Sequence, residues 1–205
     1  YIERFEFAGG TVWTPQTIAQ DFTFVQYAAP AGSTLSGWAG QDIYYGGIGN
    51  DTIYAGTDDQ AYGGAGDDKL YASAEQYAYG MLLDGGDGND TLIAQRMANS
   101  GTYRGGAGND VIDVRAGYRA TIDGGTGDDT LFGSVYDETY IYNLGDGKDT
   151  ILDAGGNDRI VFGEGIHPED WTLTREGGDM VMTHRNGGDR ITIQKWFEGS
   201  SYYIE

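Results

Sequence analysis

Six nine-residue blocks constrain this 205-residue chain more than any other feature: GGIGNDTIY at 46–54, GGAGDDKLY at 63–71, GGDGNDTLI at 85–93, GGAGNDVID at 105–113, GGTGDDTLF at 124–132 and LGDGKDTIL at 144–152. Each has Gly at its second and fourth positions, Asp at its sixth and an aliphatic residue at its eighth; only Leu144 replaces the first Gly. A repeat this regular describes stacked units that bury a shared core. Glycine reaches the positive-φ conformations of tight curls. The aliphatic eighth position starts a strand that points inward. Such curls expose backbone carbonyls beside a short carboxylate, a donor set suited to a hard cation that takes six to eight oxygens at about 2.3–2.6 Å.

The blocks resemble the GGxGxDxUx nonapeptide of the RTX (repeats-in-toxin) haemolysin-type calcium-binding repeat family. The resemblance implies an all-β fold, a parallel β-roll in which each nonapeptide makes one turn and one short strand, with about 18 residues per coil. First positions here fall at 46, 63, 85, 105, 124 and 144, about once per coil. The calcium-stacked turns are therefore expected to lie on one edge, with the variable stretches between them forming an opposite, metal-poor edge. Asp58 and Asp59 there are expected to be solvated loop carboxylates. The spacing of 22 between the second and third blocks is expected to distort one site, and Leu144 to weaken the last.

The resemblance also implies one ion between successive turns, hence about five calcium ions for six turns. Side-chain ligands would be Asp51, Asp68, Asp90, Asp110, Asp129 and Asp149. Carbonyl ligands would come from the first and third positions: Gly46 and Ile48, Gly63 and Ala65, Gly85 and Asp87, Gly105 and Ala107, Gly124 and Thr126, and Asp146 in the last block. Fifth-position Asn and Asp would face solvent or satisfy turn amides. Strands sit about 4.8 Å apart. Neighbouring carboxylates at that spacing repel by roughly 1 kcal/mol in water and about 3–4 kcal/mol at an effective dielectric near 20. Folding is thus expected to require calcium.

The repeats divide the chain into an N-terminal flank (1–40), the calcium-binding roll (41–152) and a C-terminal cap (153–205). DAGGNDRIVF continues with one degenerate turn, in which Asp153 or Asp158 could complete a site. GIHPEDWTLTREGGDMVMTHRNGGDRITIQKWF then alternates apolar and polar residues between glycine turns, the pattern of antiparallel hairpins. It resembles the haemolysin-type calcium-binding-protein-related segment that follows β-rolls, and implies a small antiparallel cap with Trp171 and Trp196 in its core. Tyr-Ile-Glu occurs at 1–3 and again at 203–205. In the related segment, a strand like ITIQKWFEGSSYYIE continues into something like ERFEFAGGTVWTPQTI. The expectation is one period of a tandem array, with residues 1–20 completing a cap of this chain or of an adjacent copy.

Composition excludes much else. Thirty-two acidic against 12 basic residues give a formal charge of −20, which disfavours nucleic acid and anionic membranes as partners. No cysteine is present, and no apolar run could span a bilayer. YIERFEFAGG lacks the charged and apolar regions of a signal peptide. GxGxxG-like strings lack a following helix, and DGGDGND lacks the Glu and flanking helices of an EF-hand. His167 and His184 are isolated and GxSxG is absent, so no catalytic residues and no cofactor other than calcium are expected.

Two alternatives stand beside a calcium-folded spacer. One is a non-catalytic module of a polysaccharide-processing enzyme. The other is a glycan- or surface-binding adhesin repeat, using Tyr44, Tyr45, Tyr54, Tyr62, Tyr71, Tyr77, Tyr79, Tyr103, Tyr118 and Tyr140, although strand packing suits these residues better. The family resemblance implies type I secretion and an extracellular or cell-surface location.

Overall fold

The computed structural model describes residues 4–37, 40–72, 79–95, 98–198 and Ile204. The chain opens with a two-stranded hairpin, β1 (Phe5–Glu6) and β2 (Val12–Trp13), followed by the short helix α1 (Pro15–Asp21). Thr14 and Thr17 cap that helix reciprocally, with Pro15 at its first position. Phe7, Trp13 and Phe22 join the pieces edge to face at 4.7 and 4.8 Å.

Strands then alternate between two sheets. The coils run through β3 (Val25–Tyr27) and β4 (Thr34–Ser36), β5 (Ile43–Gly47) and β6 (Thr52–Ala55), β7 (Gln60–Ala65) and β8 (Lys69–Ala72), and β9 (Leu82–Asp87) and β10 (Thr91–Ala94). They continue through β11 (Thr102–Ala107) and β12 (Val111–Asp113), β13 (Thr121–Thr126) and β14 (Thr130–Phe132), β15 (Thr139–Tyr142) and β16 (Lys148–Leu152), ending at β17 (Arg159–Phe162). Odd strands from β3 to β17 form one parallel sheet and even strands from β4 to β16 the other. The parallel stack therefore begins at Val25, ahead of the 41–152 span expected, and extends past it.

Period-two alternation builds the core. The eighth-position residues Ile53, Leu70, Leu92, Ile112, Leu131 and Ile151 are all buried in a column. Tyr44, Ala61, Leu83, Tyr103, Ile122 and Tyr140 face them from the other sheet. Burying one such large side chain contributes about 1.5–3 kcal/mol. The alternate tyrosines point outward. Tyr27, Tyr45 and Tyr62 stack at 5.3 Å between centroids, as Tyr54 and Tyr71 do at 4.9 Å, so neighbouring rings cover one another's faces. Tyr77 lies outside the described residues.

The cap is antiparallel as expected, but it is no separate layer. After a 3-10 turn at Pro168–Asp170 come β18 (Trp171–Glu176), β19 (Asp179–His184) and β20 (Arg190–Ile193). β20 pairs parallel to β16, so the cap prolongs the second sheet to ten strands and covers its last edge. Trp171 is buried against Tyr142 and Phe162, and Trp196 packs partly buried on the same core. Strand β1 pairs with β2 and not with β20. Residues 1–3, 203 and 205 lie outside the described residues.

Candidate metal centre

All six nonapeptide turns stack on one edge. Gly47, Gly64, Gly86, Gly106 and Gly125 pair in register, and Gly147 bridges Gly127. The spacing of 22 leaves this edge undistorted: the Asp68 amide donates to Asp90 Oδ1 at 2.7 Å, as in neighbouring turns. The added residues lie between β8 and β9, on the opposite edge. Side chains at a close-packed edge have fixed partners, whereas a loop absorbs length.

Two hydrogen-bond ladders run along the turns in opposite senses. Sixth-position amides donate forward, to the carboxylate of the next turn: Asp51 to Asp68, Asp68 to Asp90, Asp90 to Asp110, Asp110 to Asp129 and Asp129 to Asp149, at 2.7–3.1 Å. The Ser33 amide adds an earlier rung on Asp51, at a turn the repeat pattern does not reveal. Fifth-position side chains instead accept from an amide of the next turn, which here donates backward: Asn50 from Asp67, Asp67 from Asn89, Asn89 from Asn109, Asn109 from Asp128 and Asp128 from Lys148. These side chains satisfy turn amides, one of the two roles expected of them.

Each sixth-position Asp thus commits Oδ1 to an amide. Oδ2 of Asp51, Asp68, Asp90, Asp110 and Asp129 is buried without any donor, one such oxygen for each of the five gaps between turns. A bare buried carboxylate oxygen is costly and calls for a cation. The surroundings supply further oxygens. A β-carbon placed on Gly63, Gly85 or Gly105 would collide both with Oδ2 of its own turn's Asp and with the first-position carbonyl of the next turn. First-position carbonyls therefore project back to the preceding turn. Third-position carbonyls do the same: those of Asp87, Ala107, Thr126 and Asp146 accept the amides of Gly66, Gly88, Gly108 and Gly127 at 2.7–2.8 Å.

Sequence reasoning missed the oxygens that meet them. Carbonyls of Gly64, Gly86 and Gly106, and of Gly66, Gly88 and Gly108, project forward against the matching glycines of the next turn. The donors in every gap are all oxygen, fitting calcium and offering nothing to a thiophilic metal. It also missed Asp189 of the cap. Its carboxylate accepts the amides of Gly145 and Gly147 at 3.2 Å, closing the Leu144 turn, which has no successor. The NGGD string at 186–189 was its only signal.

The opposite edge corrects an expectation. Asp59 is not a solvated loop residue but 1% exposed, accepting from the Asp42 and Gly56 amides and from Tyr44 Oη. The rung it occupies is filled in later coils by Met81, Gly101 and Ala120, whose carbonyls accept the next strand's first amide. Carboxylates return at Glu138 and Asp158, both buried.

In the metal-free chain, burial raises these carboxyls above the usual carboxylate range. Asp68 and Asp129 reach about 6, Asp90 and Asp110 about 7, and Asp149 about 8. A folded-state pKa above the unfolded value means the folded chain holds the extra protons. The metal-free fold therefore gains stability as pH falls and loses it as pH rises through about 6–8. In excess chelator, acidification from pH 8 to 5 is expected to increase β structure in far-UV circular dichroism. A β signal that is flat, or weakens on acidification, would contradict this.

A two-sheet parallel roll edged by a column of carboxylates and carbonyls defines a β-solenoid whose turns offer oxygen ligands to a hard cation. Residues 33–53, 55–75, 82–96, 100–118, 119–135 and 143–166 match the family described as RTX calcium-binding nonapeptide repeat (4 copies), and 179–205 match the haemolysin-type calcium binding protein related domain. The repeat matches span more than half of the chain, and the chain belongs to the RTX calcium-binding repeat family. Among solved structures it is similar to the extracellular lipase LipA from Serratia marcescens, at 18% identity and a TM-score of 0.37 over 77% of this chain and 38% of that one. The chain thus spans well under half of that protein's length. No curated protein matches it. No helix among the described residues is long and apolar enough to cross a membrane.

Proposed function

We infer that this chain is a calcium-folded module of a larger secreted bacterial protein, crossing the export apparatus unfolded and closing its roll in the calcium outside the cell. The observation that carries this reading is the column of five buried Oδ2 atoms without donors. In it about five ions lie between successive turns. Asp51, Asp68, Asp90, Asp110, Asp129 and Asp149 supply carboxylates, and first- and third-position carbonyls from Gly46 and Ile48 through Gly124, Thr126 and Asp146 supply the remaining oxygens named from the sequence. Second- and fourth-position carbonyls of the preceding turn join them. Calcium there neutralises the column and ties each turn to the next. Extracellular modules bind it at about 10⁻⁴–10⁻³ M, which suits a switch between cytosol and exterior.

The role is mechanical and organisational: timing of folding, and spacing along the parent protein, with adjacent copies of the module as partners. Glycan binding draws less support, because Tyr44, Tyr103 and Tyr140 are buried and Tyr45 is covered on both faces by Tyr27 and Tyr62. Catalysis by this segment is not part of the proposal.

Asp90→Ala tests the ligand assignment. It removes one carboxylate from the column and strands the Asp68 amide, a loss of about 1–3 kcal/mol before any effect on the metal. The calcium midpoint for folding is expected to rise by roughly tenfold or more. A midpoint within twofold of the parent would remove Asp90 from the ligand set.

A further inference from the structure

We propose that Glu138, Asp153 and Asp158 form an additional calcium site on the edge opposite the nonapeptide turns, locking the last coil of the roll. One carboxylate oxygen from each of the three lies within 4.8 Å of the other two, and all three residues are buried. Asp158 is fully buried. Its Oδ1 accepts the Glu138 amide at 2.7 Å, while Oδ2 is buried and receives no amide, hydroxyl or basic donor, its nearest acidic neighbour being the Asp153 carboxyl.

The other oxygens are held in place. Glu138 accepts from the Ser134 hydroxyl at 2.7 Å and the Ser134 amide at 3.0 Å. Asp153 accepts from the Gly155 amide at 2.8 Å and from Tyr140 Oη. Among the described residues, no Lys, Arg or His forms an ion pair with any of the three. Three carboxylates buried together without a positive partner leave a charge that the protein does not compensate.

The local backbone repeats what the nonapeptide edge does. The Glu138 amide donates forward to Asp158, and the Asn157 amide donates back to Asp137 Oδ1 at 3.1 Å. This is the same pair of opposed ladders, built by YDET at 136–139 and GGND at 155–158. The early end of this edge differs. There Tyr44 Oη reaches both Asp42 and Asp59, and the Gly56 amide fills the second oxygen of Asp59, so no orphaned oxygen remains on Asp59. The donor set at the late end is all oxygen, with three carboxylates and no nitrogen or sulfur ligand. That composition selects calcium over transition metals, and the carboxylate count favours tight binding.

Native mass spectrometry of the calcium-loaded chain tests the proposal. Asp158→Asn keeps an acceptor for the Glu138 amide, and with Glu138→Gln it is expected to remove one calcium from the folded protein while the remaining ions stay. An unchanged ion count would overturn the site. It would point instead to protons shared among the carboxyls, as would greater stability of the variant at neutral pH. Loss of the nonapeptide ions on Asp90→Ala with this ion retained would separate the two edges. Should the double variant not fold, terbium-soaked crystals of the unmodified chain decide the matter. An anomalous peak among Glu138, Asp153 and Asp158 is expected, and its absence sinks the proposal.

Discussion

In excess chelator at pH 7.5 and low salt, the far-UV spectrum of this module is expected to lose most of its β signal, and millimolar calcium should restore it cooperatively. Above about pH 7 most of the buried Asp column would be ionised, and each folded rung then sets like charges a strand spacing apart. Burial adds to that cost, as the upward displacement of Asp90, Asp110 and Asp149 shows. Calcium changes the sign. A site filled at tenfold over its dissociation constant stabilises the fold by about 1.4 kcal/mol. Five such sites contribute about 7 kcal/mol, comparable with the whole stability of a domain, about 5–15 kcal/mol. The transition should sharpen with ion number, because each ion needs oxygens from two turns. A native spectrum and unchanged hydrodynamic radius in chelator at neutral pH would refute the coupling.

The second large effect is steric. Gly108 sits at φ +130°, a conformation other residues rarely adopt, and a β-carbon there would run into the carbonyl of Gly88 in the turn behind. The turn cannot retreat, since the Gly108 amide is bonded to the Thr126 carbonyl at 2.8 Å and the flanking strands are paired on both sides. Gly108→Ala is expected to cost more than about 3 kcal/mol in saturating calcium, by urea denaturation. Gly47 supplies the comparison. It also has positive φ, at +101°, but a β-carbon there meets nothing within 4 Å. Gly47→Ala should therefore cost only the backbone strain, about 1–3 kcal/mol. Equal losses at the two positions would mean that the turns are not packed carbonyl against glycine.

Much of this architecture is legible in the repeat. Gly at the second and fourth positions marks the curl, and Ile or Leu at the eighth marks the core face. A recurrence near one coil puts every such turn on one edge, which the register Gly64–Gly86–Gly106–Gly125 bears out. Asp59, on the opposite edge, is not legible in the same way because the connections there vary in length. Asp59 reads as a loop residue until the stack places it under Tyr44. Glu138 lies in a string with no glycine curl, and only the coil after it, with Asp158 on the same rung, gives that carboxylate a partner.

What the amino-acid order determines alone is local: turn chemistry, strand period, and the identity of the inward residues, because these depend on neighbours a few positions away. What the tertiary structure decides is which oxygens meet. Oδ1 of each sixth-position Asp is taken by an amide 17–22 residues distant and Oδ2 of Asp51, Asp68, Asp90, Asp110 and Asp129 is left bare, while Asp189 closes a turn more than 40 residues before it. Those pairings depend on how many residues each connection absorbs before the chain returns to the stack, a property of the packed coils and not of any one repeat.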